Sequence, residues 1–170
     1  MPSTFRSSPR LARRLAATAM LCVVFAGPAL SAQTFDATNL QEPKLLAATW
    51  LVYGGDDPAF ARPDFDDSQW MIFDSTKDLR ALFPKSHPEV VWYRLRVKVL
   101  PRQTDFALEE NSLSSAFEVF TNGVMLMKLG QVSPFVPYTS SASLVENIPD
   151  SQMADGTVLI AVRAHIAPDD

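Results

Sequence analysis

Two long stretches of the chain alternate between apolar and polar residues, which is the period of a β-strand with one buried face. In residues 91–100 the odd-numbered positions are apolar or aromatic, and the even-numbered positions include Arg94, Arg96 and Lys98. Residues 157–166 repeat the pattern with apolar even-numbered positions. Both stretches are predicted to be half-buried strands of an antiparallel sheet.

A hairpin is predicted within residues 117–127, where Asn122 and Gly123 separate two runs of β-forming residues. An Asn-Gly pair tolerates positive φ at both central positions, as a type I′ turn requires. The turn predicts three cross-strand pairs: Thr121 with Val124, Phe120 with Met125, and Val119 with Leu126.

Shorter segments between the thirteen prolines add further strand candidates. These candidates are residues 49–53, 70–73, 106–109 and 135–138. Residues 78–83, just before Pro84, are predicted to form one helical turn. Many short strands without helical crossovers predict an all-β fold, an antiparallel β-sandwich. The connections 54–69 and 139–155 are expected to cross between its two sheets.

The first 32 residues have the organisation of a secretory signal peptide. A basic stretch ends at Arg14, an apolar run follows, and small residues stand at Ser31 and Ala32. The apolar run is shorter than the about 20 residues that a membrane-spanning helix needs. We expect cleavage near Ala32 and export to the periplasm; an uncleaved membrane anchor is the alternative.

The charge of the exported part disfavours nucleic acid as a partner. The whole chain carries 15 Lys and Arg against 19 Asp and Glu, a net charge of −4. Four of the arginines and none of the acids lie in residues 1–32, so the remainder carries a net charge of −8. An acidic surface repels both nucleic acid and anionic membranes.

The residues needed for covalent or hydrolytic chemistry do not occur in recognisable patterns. The single cysteine, Cys22, lies in the signal segment, so the exported part has no thiol nucleophile or thiolate metal site. No G-x-S-x-G, H-E-x-x-H or phosphate-loop pattern occurs. Glu109 and Glu110 are adjacent, so on a strand they point to opposite faces and cannot flank one sugar ring. The sequence therefore predicts a non-catalytic chain.

Four landmarks occur in a characteristic order between residues 49 and 163. A strand bearing Trp50 precedes an acidic loop that ends in the FDDSQW sequence of residues 65–70. The sequences WYR at 92–94, VFTNG at 119–123 and LIAVR at 159–163 follow. Together they resemble the galactose-binding-like jelly-roll domain found in glycoside hydrolase family 2 enzymes and in bacterial membrane sensors.

The resemblance implies a division of the chain into four parts. Residues 1–32 form the signal peptide, 33–48 a lead-in, 49–167 the galactose-binding-like sandwich and 168–170 a truncated linker. The chain stops soon after an alternating strand, so we expect further sequence to follow and to tether the domain to the membrane. An output such as a histidine kinase or a cyclase would lie there.

The acidic loop has a structural and a metal-binding interpretation. Phe65 and Trp70 are expected to fix the loop to the sandwich, and the Asp-Asp-Ser stretch between them is typical of turns. Because hard cations prefer several oxygen ligands, a structural calcium ion on Asp56, Asp64 and Asp66 is the alternative. No other cofactor is expected.

Three further polar residues are given ordinary roles. Arg94 is expected to be a surface arginine that pairs with an acid or stacks on an aromatic ring. His87 and His165 have no second histidine or cysteine at ligand spacing, so neither is expected to bind a metal.

The leading functional hypothesis is a sensor module that binds a ligand outside the cytoplasm and belongs to a membrane signalling protein. Its expected ligand is a small polar molecule such as a saccharide, which aromatic faces and hydrogen-bonding side chains would hold in a shallow loop site. The candidate ligand-binding residues are Asp57, Phe60, Trp92, Asn122 and Tyr138.

Two alternatives come from other functional classes. The chain could serve as the accessory sugar-binding domain of a glycoside hydrolase family 2-like enzyme, or as a structural module that docks a partner. The sequences GDDPAF at 55–60 and EVVWYRLRV at 89–97 are more similar to membrane sensors, which favours the sensor over both alternatives.

Overall fold

A computed structural model describes residues 34–46, 48–101, 106–110, 116–139 and 144–166. These residues form nine strands and three short 3₁₀ helices. The strands are β1 Phe35–Asp36, β2 Thr49–Gly54, β3 Met71–Asp74, β4 Val90–Lys98, β5 Ala107–Glu110, β6 Phe117–Thr121, β7 Val124–Leu129, β8 Leu144–Asn147 and β9 Thr157–His165. The 3₁₀ helices are Pro58–Ala61, Leu79–Leu82 and Asp150–Gln152.

The strands form one large sheet and one small sheet. The large sheet has the order β3-β2-β4-β9-β6-β7, with antiparallel neighbours throughout, and β1 adds a short parallel pairing to β4. The small sheet consists of β5 and β8, which are antiparallel. The predicted all-β sandwich is therefore confirmed.

The two alternating stretches form the centre of the large sheet. Residues 91–100 correspond to β4 and residues 157–166 to β9, and the two strands pair from Val90–His165 to Lys98–Thr157. The apolar positions of both strands lie on the same face of the sheet and enter one core. Both segments are strands as predicted, because strands of this length give the alternation enough positions to be read. The expectation that they are half-buried is wrong, because Trp92, Arg94 and Ala161 on the opposite face are buried as well, in or beside the second core.

The predicted hairpin is present, with one difference in register. Asn122 and Gly123 have φ of 47° and 85°, and the pairs Thr121–Val124 and Phe120–Met125 form as predicted. The predicted pair Val119–Leu126 is wrong, because a bulge shifts the register and Val119 pairs with Met127. The extra residue lets Val119 and Met127 both point into the core.

Most predictions for the shorter segments are confirmed. Residues 49–53, 70–73 and 106–109 are strands with slightly different ends, namely β2, β3 and β5. The helical turn within 78–83 is also confirmed, as a 3₁₀ helix whose first turn is capped by the Asp78 carboxylate.

The strand predicted at residues 135–138 is wrong. Phe135 lies in a turn closed by an isolated bridge between Gln131 and Val136, and residues 137–138 after it are not in a strand. Pro134 and Pro137 offer no N–H donors, which disfavours a continuous ladder. Strands β1 and β8 were not predicted, because two and four residues are too few to show a period.

Apolar residues pack on both faces of the large sheet. The first core lies between this sheet, the small sheet and the 34–46 segment; its fully buried members include Val52, Val91, Leu95, Phe117, Met153 and Val158. The second core lies on the opposite face, beneath residues 55–70.

Residues 55–70 do not cross between sheets, so the prediction for the 54–69 connection is wrong. They return to the same sheet, because β2 and β3 are neighbours in it. The 139–155 connection does enter the second sheet, where it contributes β8.

The predicted signal peptide and residues 168–170 lie outside the described residues. Within the described part of the chain, no helix has both the length and the apolar composition needed to cross a membrane.

Candidate functional site

Residues 55–70, here called the covering loop, place a cluster of aromatic rings on the second face of the large sheet. Phe60 is at its centre, with ring centroids 5.0 to 5.8 Å from those of four other rings. Offset and edge-to-face contacts of this kind stabilise beyond the area they bury. The members of this aromatic cluster are Tyr53, Phe60, Phe65, Trp70, Trp92 and Phe120.

A short capped helix in the covering loop positions Phe60 at the centre of the aromatic cluster. The Asp57 carboxylate accepts a hydrogen bond of 2.8 Å from the Ala59 amide and caps the 3₁₀ helix Pro58–Ala61, which carries Phe60. Phe65 and Trp70 follow and pack against the same ring. The expectation that Phe65 and Trp70 fix the loop to the sandwich is confirmed.

Arg94 connects the covering loop to β4 beneath it. Its Nε donates to Asp67 Oδ2 at 2.9 Å, and its Nη1 donates to the backbone carbonyls of Phe60 and Arg62. Arg96 Nη1 lies 3.0 Å from the same Asp67 oxygen. One guanidinium thus holds three points of the loop.

The expectation that Arg94 lies at the surface is wrong, because its side chain is fully buried under the covering loop. The expected pairing with an acid and stacking on aromatic rings both occur, with the guanidinium carbon 5.8 Å from the Phe65 centroid and 5.6 Å from that of Trp70. Burial lowers the pKa of Arg94, and the Asp67 carboxylate opposes this shift.

Charged side chains form a second connection from the covering loop across β9, β6 and β7. Arg163 donates to both oxygens of Asp56, at 2.7 and 2.6 Å, and to Glu118 Oε2 at 2.9 Å. Lys128 Nζ lies 2.9 Å from Glu118 Oε1. We call these four residues the charged row.

The charged row holds two carboxylates in their ionised form. Hydrogen bonds from Arg163 hold the pKa of Asp56 below its ordinary value despite some burial. Burial alone would raise the pKa of Glu118, but hydrogen bonds from Lys128 and Arg163 outweigh it and lower the pKa. A general acid needs a raised pKa, so neither carboxylate is prepared to donate a proton near neutral pH.

The three candidate calcium ligands have separate partners. Asp56 binds Arg163, Asp64 pairs with Arg62 at 2.6 Å, and Asp66 accepts a 3.0 Å hydrogen bond from the amide of Ser68. Among the described residues, no three His, Cys, Asp or Glu side chains are grouped so that they could hold a metal ion. The structure therefore does not bring Asp56, Asp64 and Asp66 together.

The five candidate ligand-binding residues fall in three places. Asp57 and Phe60 belong to the covering loop, and Trp92 lies beneath it in contact with Phe60; Asp57 is exposed, but Phe60 is only 8% and Trp92 1% exposed. A sugar could stack on these rings only after the loop had moved away. Both rings are packed against other aromatic rings, so they form part of a core and not an open site.

Asn122 and Tyr138 lie elsewhere. The Asn122 side chain accepts from the Leu159 amide and donates to the Gln152 carbonyl, both at 2.8 Å, which joins the hairpin turn to two other segments. Tyr138 packs against the first core, on the opposite face of the large sheet. A single ligand site that includes all five residues stays a prediction.

Sequence reasoning missed the charged row. Asp56 and Arg163 are 107 positions apart, and no local pattern connects them. The alternation of residues 157–166 places Arg163 on the face opposite the first core, which was the available signal. The contact with Asp56 depends on how the covering loop folds back over the sheet, which the local sequence pattern does not show.

Comparisons with known proteins identify the fold. No protein-family model and no curated protein sequence matches the chain. β-Glucuronidase from Bacteroides uniformis superposes with a TM-score of 0.52 at 19% identity, over 75% of this chain and 15% of that enzyme. β-Glucuronidase from Bifidobacterium dentium superposes with a TM-score of 0.52 at 14% identity, over 78% of this chain and 22% of that enzyme.

These superpositions confirm that the chain has the galactose-binding-like jelly-roll fold expected from its four landmarks. The chain spans less than a quarter of the length of either enzyme. Similarity to membrane sensors stays a prediction.

Proposed function

We propose that this chain is a non-catalytic accessory domain of a glycoside hydrolase family 2-like enzyme. The observation that carries the proposal is the superposition of most of this chain on a minor part of two β-glucuronidases. A domain that represents 15 to 22% of such an enzyme is expected to support catalysis carried out by another part of the polypeptide.

The chemistry of the described residues supports a non-catalytic role. Glycoside hydrolysis needs one carboxylic acid to protonate the leaving oxygen and a second carboxylate across the sugar ring. Asp56 and Glu118 both bind Arg163, and their pKa values are lowered. This arrangement keeps both carboxylates ionised, so they act as partners in ion pairs and are poorly suited to donating a proton.

The sensor interpretation makes a different prediction about the rest of the polypeptide. A sensor would join this domain to membrane spans and a signalling output, whereas an accessory domain would accompany a catalytic barrel. The two can be separated by characterising the native polypeptide that contains the chain.

The experiment uses an antibody raised against the folded chain to purify the native protein from its source. Mass spectrometry then measures the length of the polypeptide, and fluorogenic β-glycosides, including a β-glucuronide, measure hydrolysis. We expect a polypeptide several times longer than this chain that hydrolyses at least one β-glycoside. The recombinant chain serves as the control and is expected to be inactive on every substrate.

Two results would contradict the proposal. Hydrolysis by the recombinant chain, abolished by Asp56→Asn or Glu118→Gln, would show that the domain itself is catalytic. A native polypeptide with membrane spans and a signalling output would establish the sensor interpretation.

A further inference from the structure

The hairpin turn at Asn122 and Gly123 is joined to three segments that are distant in sequence. The Asn122 side chain is bound at both ends: Oδ1 accepts a hydrogen bond from the Leu159 amide, and Nδ2 donates one to the Gln152 carbonyl, each at 2.8 Å. The turn also lies against the covering loop, since a Cβ built on Gly123 would be 3.5 Å from the Ala61 carbonyl oxygen. A single amide group thus holds the hairpin to β9 and to the 3₁₀ helix Asp150–Gln152.

The same two residues form a sequence that favours a spontaneous covalent change. The backbone nitrogen of the residue after an asparagine can attack the asparagine's side-chain carbonyl carbon, and glycine has no Cβ to hinder the attack. Among the described residues, Asn122 is the only asparagine followed by glycine. Gly123 is exposed and Asn122 is half-buried, so water reaches the turn.

The reaction is a deamidation and needs only water as co-reactant. The Gly123 nitrogen loses its proton to solvent hydroxide and forms a bond to Asn122 Cγ. The Cγ–Nδ2 bond then breaks and ammonia leaves, which gives a cyclic succinimide. Water opens the succinimide at one of its two carbonyl carbons and produces either aspartate or isoaspartate, with no change of oxidation state.

The native hydrogen bonds oppose the first step of this reaction. Attack turns the planar Cγ into a tetrahedral carbon and changes the directions of its bonds to Oδ1 and Nδ2. Because Leu159 and Gln152 hold these two atoms from separate segments, at least one of the hydrogen bonds has to break. The reaction therefore requires local opening of the turn, and its rate falls with the population of the open form.

We propose that Asn122 is a deamidation site that folding suppresses and whose modification makes the opening of the hairpin turn irreversible. The aspartate product still offers an acceptor to the Leu159 amide, but it has lost the donor to the Gln152 carbonyl and places an anionic oxygen there. The isoaspartate product adds a methylene group to the backbone of a two-residue turn, whose length selects the turn type. The proposal is independent of whether the domain accompanies a glycosidase.

Incubation of the purified chain at mildly alkaline pH tests the proposal, once in buffer and once in guanidinium chloride. Liquid chromatography and mass spectrometry of proteolytic peptides measure the conversion of Asn122 and separate aspartate from isoaspartate. We expect conversion to be at least about tenfold slower in the native chain than in the denatured chain. Gly123→Ala should slow the conversion in the denatured chain, where the added methyl group hinders the attack and folding strain plays no part.

Asn147 is the matched control within the same chain. It is exposed in the folded domain but precedes Ile148, whose branched side chain hinders attack by its backbone nitrogen. Asn147 should therefore stay unmodified in both samples while Asn122 is converted in the denatured one.

Asn122→Asp measures the consequence of the modification for the fold. The variant is expected to unfold at a temperature about 3 °C or more below that of the unmodified chain. Asn147→Asp introduces the same change at an exposed strand position and should lower the unfolding temperature less.

Three outcomes would overturn the proposal. Conversion of Asn122 in the native chain as fast as in the denatured chain, or faster, would show that the two hydrogen bonds do not restrain the reaction. Absence of conversion in the denatured chain would remove the site. Equal unfolding temperatures of Asn122→Asp and the unmodified chain would show that the hairpin contacts survive the modification.

Discussion

Arg94 Nε and Asp67 Oδ2 are 2.9 Å apart, and this ion pair joins the centre of β4 to the covering loop above it. The arginine is fully buried and the Asp67 side chain is only 12% exposed. Because Arg94 also donates to two loop carbonyls, the pair positions the loop that carries Phe60, Phe65 and Trp70. A buried arginine thus organises the aromatic cluster.

Replacing Arg94 is expected to destabilise the domain strongly. Arg94→Met removes the buried partner of Asp67, which keeps only the more exposed Arg96, and leaves two loop carbonyls without their donor, at a cost of about 3 kcal/mol or more. Arg94→Lys should recover little of this, because an ammonium cannot reproduce the fork of the guanidinium. Urea unfolding measures the loss of free energy.

The matched control is Arg96→Met. Arg96 binds the same Asp67 oxygen but is 37% exposed, so its loss should cost less than about 1 kcal/mol. Equal losses for Arg94→Met and Arg96→Met would contradict the role given to Arg94.

The sequence predicted most of the fold because its signals are local. The alternation of β4 and β9 and the Asn122-Gly123 turn each depend on neighbouring residues, and each was found where predicted. The position of Arg94 was not predictable in this way. Alternation places it on the face opposite the first core, and only the return of the covering loop to the same sheet buries that face.

The candidate site was less predictable, because it depends on contacts distant in sequence. Phe60 and Trp92 do come together, but as parts of a packed cluster with Trp70 and Phe65, while the exposed Asp57 caps the 3₁₀ helix that carries Phe60. The hairpin register also differed at one position, because the bulge beside Val119 lets Val119 and Met127 both enter the first core, which the turn sequence does not determine.

Removing the central ring of the aromatic cluster should have a large effect. Phe60→Ala deletes a buried ring that contacts four others and is expected to cost about 3 to 5 kcal/mol. The near-ultraviolet circular dichroism signal should weaken as well. Phe135→Ala, at a phenylalanine that is 43% exposed, is the control; a comparable loss there would count against a special role of Phe60.

Alanine substitutions at two glycines with positive φ distinguish the cost of backbone strain from the cost of steric overlap. Gly123 and Gly130 have φ of 85° and 63°, so alanine is strained at both. A Cβ on Gly123 would lie 3.5 Å from its nearest neighbour, whereas one on Gly130 would lie 2.5 Å from the Val136 carbonyl oxygen. Gly123→Ala should cost about 1 kcal/mol, and Gly130→Ala about 3 kcal/mol or more.

Thermal and urea unfolding of the two alanine variants test this order. Both substitutions add the same methyl group, so the difference between them measures the backbone contact in the 131–136 turn. Equal losses of stability, or a larger loss for Gly123→Ala, would show that this turn moves away from the added methyl group without an energetic cost.

The charged row predicts how stability depends on pH. Folding lowers the pKa values of Asp56 and Glu118, so these groups stabilise the fold above their unfolded values of about 4. Their contribution is lost as the pH falls through the still lower folded values. Asp56→Asn with Glu118→Gln should therefore reduce the decline of unfolding free energy between neutral and acidic pH.

The matched comparison is Asp64→Asn, which removes an exposed carboxylate whose lowered pKa comes from hydrogen bonding to Arg62. Because solvent screens that pair, its loss should change the pH dependence less than the loss of Asp56 and Glu118 does. Urea unfolding of each variant at several pH values measures the slopes. If the double variant kept the slope of the unmodified chain, Arg163 would not be coupling the two carboxylates to folding, and the charged row would be an incidental feature of the surface.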